Sequence, residues 1–183
     1  IANEYDKMAA SIGAQGTNAH TSNEETIYYN KIPSNELGKW ASMESDRFDE
    51  LVLRLFHTEL EAVYEEFNRG QDSDPRKMYY KTMEALFPTH PYGQQTTLGK
   101  SEHLKNPSLK DINDYFDKYY VPNNMAVVLV GDFEFEPTIK VIDETFGKLE
   151  KKEVKHPELP KEEKLEGPIE QVVYGPTSES MYL

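Results

Sequence analysis

Glu59 and Glu66 stand seven residues apart in the stretch Thr58-Glu59-Leu60-Glu61-Ala62-Val63-Tyr64-Glu65-Glu66. Seven residues is close to two turns of an α-helix, so a helix here sends both carboxylates out from one face. Ala62 and Val63 lie between them on that face and are small enough for another element to pack closely. A carboxylate aimed at a neighbouring helix can complete a metal site, and a second one can orient its ligands. Spacing alone leaves another reading open, a solvated acidic face, because Glu61 and Glu65 share the segment. The five histidines, His20, His57, His90, His103 and His156, include no pair at the spacing of helical metal ligands. His57 and Glu61 read as a helix-surface pair, His90 ahead of Pro91 as part of a turn, and His103 and His156 as solvated. Gly93 and Gly99 do not make a phosphate loop, since no Lys follows in the required place.

The elements that must position these residues follow from periodicity. Tyr5, Met8, Ala9 and Ile12 form an amphipathic stripe closed by Gly13. Ala14–Ser22 and Thr26–Ile32 read as two strands joined at Asn23-Glu24-Glu25. A helix opens at Pro33-Ser34 with Ser34 as its cap and Leu37, Trp40, Ala41 and Phe48 inward. The next, with Val52, Leu55, Phe56, Val63 and Phe67 as its stripe, carries Glu59 and Glu66 and ends near Gly70. Met78–Phe87 is a further helix and His90-Pro91-Tyr92-Gly93 a rigid turn. Ser108-Leu109-Lys110-Asp111 resembles a capping box, with Leu109, Ile112, Phe116 and Tyr119 inward. Met125–Val130 is a continuous apolar run of buried-strand type. Pro137 opens a helix with Ile139, Ile142, Phe146 and Leu149 on one side, and Gln171–Tyr174 and Met181–Leu183 read as strands. The Tyr pairs at 28–29, 79–80 and 119–120 suit core and rim positions. The pattern predicts an α+β fold with a largely antiparallel sheet flanked by helices. Its divisions are a partial domain at 1–149, a Lys/Glu/Pro-rich connector at 150–168, and strands at 169–183 returning to the same domain.

Composition narrows the function classes. The 183 residues carry 33 acidic against 20 basic groups, a net charge of −13 that argues against a nucleic-acid partner. No stretch has the length of a transmembrane helix. There is no cysteine, so a metal must be held by His and carboxylates.

Three segments together resemble the pitrilysin/insulinase family of zinc metallopeptidases. They are Ile12–Ser22 with Thr26–Tyr29, then Glu59–Glu66, then His90–Gly93 with Leu98-Gly99, Tyr119–Met125 and Val130–Asp132. Order and separation match from about Gly13 to Leu149, and Asn3–Lys7 with Leu55–Thr58 look most like large bacterial members. The resemblance implies a half-domain of the insulinase or mitochondrial-processing-peptidase type. Its zinc lies between two helices, one with an inverted HxxEH motif, the other with a Glu ligand. Glu66 matches that ligand. Glu59 matches the Glu that holds a ligand or the substrate in register. Zinc lowers the pKa of a water to about 7, and the motif's Glu takes its proton. Asn18, Ala19, His20 and Thr21 match the edge strand on which an extended peptide substrate is aligned.

HxxEH does not occur in these 183 residues. The expectation is therefore a fragment of a zinc endopeptidase acting on small or unfolded peptides, inactive alone and binding zinc weakly or not at all. Its implied partners are an extended peptide and a related second half-domain, in cis or in trans. The resemblance to large bacterial members favours a periplasmic or cell-envelope location. The alternatives are a non-catalytic homologue acting as scaffold or partner subunit, which would not need Glu59 and Glu66 in register, and a stand-alone peptide-binding module.

Overall fold

In chain order the protein folds into α1 (Glu4–Ser11), β1 (Gln15–Thr21), β2 (Thr26–Lys31), α2 (Leu37–Asp49), α3 (Phe56–Gln71), α4 (Asp74–Leu86), α5 (Pro91–Gln94), α6 (Ser101–Lys105), α7 (Leu109–Tyr119) and α8 (Phe135–Thr145). Short 3-10 turns occupy Ser34–Glu36, Pro122–Asn124 and Phe146–Lys148. The structure is a computed structural model and describes residues 3–53 and 56–176. It divides into two compact units, Ile1–Arg54 with Ser108–Lys155, and Leu55–Pro107 with His156–Leu183.

In the first unit α1 ends where Gly13 adopts a left-handed backbone (φ 75°) that a side chain would disfavour. β1 and β2 then pair antiparallel, with Asn18 opposite Tyr29, Ala19 opposite Tyr28 and His20 opposite Ile27. Ser22 builds the turn: its amide donates to the Glu25 carbonyl at 2.8 Å, and its hydroxyl accepts from the Glu24 and Glu25 amides. The register shifts between Gln15 and Asn18, where Gly16 has φ 70°, so the strand bulges there. α2 supplies the inward stripe expected of it. Ala41 is wholly buried, Trp40 lies 6.2 Å from Phe146, and Phe48 packs edge-on to Tyr28 and stacked on Tyr120. α7 begins as its sequence predicts, the Ser108 hydroxyl accepting from the Asp111 amide at 3.2 Å.

In the second unit Ser73 precedes α4, Pro75 occupies its first turn, and α4 packs on α5 while α3 packs on α6. The His90–Gly93 turn is held by rings packed edge to face, His90 against Tyr92 at 4.4 Å and Phe87 against Tyr92 at 5.5 Å. The His90 Nδ1 atom accepts from the Tyr92 amide at 3.2 Å.

The α+β expectation holds, but the sheet among the described residues has two strands. Met125–Val130 is neither buried nor paired. It runs as extended chain with Val130 94% exposed, because no described strand lies beside it to take its backbone groups. Gln171–Tyr174 is likewise not a strand, for the same lack of a partner, and is largely exposed. Ser34 does not cap α2: it begins a 3-10 turn, and α2 starts at Leu37. Val52 lies outside the helix, α8 begins at Phe135 ahead of Pro137, and Leu109 and Ile139 are exposed rather than inward. Leu55 and the strand expected at Met181–Leu183 fall outside the described residues.

Candidate functional site

The face of α3 that carries Glu59 continues through Ala62, Val63, Glu66, Arg69 and Gly70, the recurrence of a 3.6-residue helix. With Ser73 and Arg76 these residues line one open concavity of about 620 Å³. Glu59, Ala62 and Glu66 are exposed within it. The seven-residue spacing thus places both carboxylates on one wall, separated by small side chains. Glu61 and Glu65, also exposed, do not line it.

Two arginines also line this concavity. Arg69 follows Glu66 by three residues, its Nε donating to the Glu65 carbonyl at 3.4 Å. Arg76 comes from α4, and its guanidinium fills the notch left by the missing side chain of Gly70, which is buried. The concavity therefore balances two carboxylates with two guanidiniums instead of being uniformly acidic. Helical spacing from Glu66 signals Arg69 in the sequence. Nothing local signals Arg76, which reaches the face only because α4 turns back beside α3.

Glu66 has the chemistry of a metal ligand, an ionisable oxygen donor on a rigid helix. The described residues do not complete a zinc site, however: no histidine lines the concavity, and no three His, Asp or Glu side chains converge. His57 lies on α3 with its ring 5.9 Å from that of Phe56, and His103 lies 3.9 Å from the Glu102 carboxylate.

Asn18, Ala19, His20 and Thr21 lie together on β1, all exposed. β2 takes one edge of β1, and no other described strand takes the second. The Ala19 amide donates to its neighbour's Asn18 Oδ1 at 2.8 Å, so the Asn18 side chain covers a backbone donor on this strand. His20 packs edge-on to Tyr29 at 6.1 Å, and the Thr21 and Thr26 hydroxyls lie 3.2 Å apart. The strand residues belong to the first unit, and Glu59 and Glu66 to the second.

Comparison with known proteins gives a consistent set of likenesses. Residues 107–183 match a family model described as the peptidase M16 inactive domain. The chain is 30% identical over 178 residues to the zinc protease PqqE of Helicobacter pylori, covering 94% of this chain and 40% of that protein. It is 28% identical over 148 residues to Protease 3 of Escherichia coli, covering 78% of this chain and 15% of that protein. Among solved structures, a protease from Helicobacter pylori superimposes with a TM-score of 0.78 at 28% identity, over 86% of this chain and 40% of that one. The first half of the periplasmic protease PqqL of Escherichia coli shares the fold, with a TM-score of 0.76 at 18% identity over 86% and 36%. The chain thus spans well under half the length of these relatives.

Proposed function

Because this chain belongs to the pitrilysin/insulinase family of zinc peptidases, we propose that it is part of the zinc-bearing half-domain of an endopeptidase. In this reading Glu66 supplies one zinc ligand and Glu59 orients a ligand or the substrate. The observation that carries it is the shared face of α3, where two exposed carboxylates flank Ala62 and Val63 in an open concavity of about 620 Å³. The remaining donors come from outside the described residues. Zinc, when bound, supplies the Lewis acidity for peptide hydrolysis that the side chains here lack.

Substrate is an extended peptide laid along Asn18–Thr21, held through backbone hydrogen bonds that ask little of its sequence. Its carbonyl displaces the Asn18 side chain from the Ala19 amide. The partner is a related second half-domain, in cis or in trans. A periplasmic or cell-envelope location is supported by the description of PqqL as periplasmic. A second reading, a non-catalytic partner subunit, draws support from the matched family model's description as an inactive domain. The two separate on metal content. Full-length protein should hold about one zinc per chain, and Glu66→Gln should lose most of it. No zinc in either protein favours the non-catalytic reading, and unchanged zinc in the variant removes Glu66 from the ligand set.

A further inference from the structure

The first unit buries an acidic group that plays no part in the reading above. Glu44 of α2 is only 3% exposed. A carboxylate taken so far out of water costs several kcal/mol unless charge and hydrogen bonds offset it. Here the Arg47 guanidinium pairs with one oxygen, while the Tyr5 hydroxyl donates to the other. Asn30 Nδ2 donates to that second oxygen at 3.5 Å. Arg47 is itself covered by the rings of Tyr5, Tyr28 and Phe48, at 4.6, 4.4 and 4.9 Å. Burial, and then the bond to Glu44, push the Tyr5 hydroxyl up to about 12, so it remains a donor across the working pH range.

What sets this cluster apart from ordinary core packing is where it ends. Asn30 Oδ1 accepts from the Thr17 hydroxyl at 2.9 Å and lies 3.1 Å from the Tyr5 hydroxyl. Gln15 pairs with Lys31 and Asn18 with Tyr29, so Gly16 and Thr17 together face Asn30 across the strand pair. The bond therefore spans the β-bulge, immediately before Asn18. A bulge decides which backbone groups of the residues after it point to the free edge, and a slip of one residue turns every side chain over.

We propose that Glu44 is a positioning residue for the substrate strand, holding Asn30 so that Asn30 pins the bulge at Thr17 and fixes the outward register of Asn18–Thr21. This rests on the reading of β1 as the peptide-binding edge. α1, β2 and α2 are tied to the bulge through one buried carboxylate, so its loss acts on binding more than on chemistry.

The test uses the full-length protein, an internally quenched extended peptide as substrate, and zinc content measured in parallel. Thr17→Val keeps the shape and removes only the hydroxyl. It should raise KM about fivefold, the worth of one hydrogen bond, with kcat and zinc content unchanged. Thr17→Ser should restore the original KM, a rescue that a packing role would not show. Glu44→Gln should raise KM in the same direction. Ala19→Pro, which removes the edge donor, should raise KM by itself. If Ala19→Pro raises KM and Thr17→Val does not, the positioning role is overturned and the edge-strand reading stands. If neither changes KM, both are overturned.

Discussion

Gly93 shows how one residue type can be dictated from outside its own turn. A Cβ at this position would run into the carbonyl oxygen of Phe87 and lie 2.6 Å from that of Met83, both backbone atoms that cannot swing aside. Gly93→Ala should therefore destabilise the second unit by about 1–3 kcal/mol, read as a lowered thermal midpoint in the full-length protein. An unchanged midpoint would mean that the turn can move away from the end of α4. The sequence shows the turn, because His90-Pro91 and a glycine punctuate it, but not the reason for the glycine, which is the approach of α4. The same contrast divides the candidate site. Glu59 and Glu66 could be placed on one face because a single helix period relates them. Arg76 could not, because its position there depends on how α4 returns.

Among the elements, the connector after Lys155 shows how a long-range contact escapes a sequence reading. Its Lys/Glu/Pro composition predicts solvated chain, and most of it is exposed. Glu162, however, turns its carboxylate onto the start of the His90–Gly93 turn. It accepts from the Thr89 amide at 2.8 Å, the Thr89 hydroxyl at 2.9 Å and the His90 amide at 2.5 Å. Desolvation works to raise its pKa, but the bonds from His90 and Thr89 outweigh it and hold the carboxyl below its ordinary value of 4.5. With the folded pKa depressed, this contact is fully present above the ordinary value and is lost as pH falls through the folded one. The amide resonances of Thr89 and His90 should titrate together with an apparent pKa below 4.5, and Glu162→Gln should abolish that titration. A midpoint at the ordinary value would mean that the carboxylate is not held. Met125–Val130 misled for a related reason. Six consecutive apolar residues specify a strand that wants burial, but pairing needs a neighbour that composition cannot supply.

At the scale of the whole molecule, unmet requirements recur in both units. The first leaves Val128 at 79% and Val130 at 94% exposure in an apolar run that no described strand covers. The second presents Glu59 and Glu66 on an open face whose lining, among the described residues, includes no histidine. Apolar surface of this kind costs roughly 25 cal/mol per Å² left in water and marks a surface meant for contact. A carboxylate pair with no histidine among the described lining residues has the corresponding chemical gap for a zinc ion. Both are what the proposed half-domain would present, in a chain that spans 40% of its Helicobacter pylori relative. The 183 residues alone should accordingly bind a hydrophobic dye and associate as concentration rises. They should hydrolyse an internally quenched peptide no faster than buffer, with or without added zinc. The full-length protein should bind little dye and turn the peptide over. Zinc-dependent hydrolysis by the isolated chain would show that its own groups complete the site, and the assignment of Glu66 as one ligand among donors supplied from elsewhere would fall.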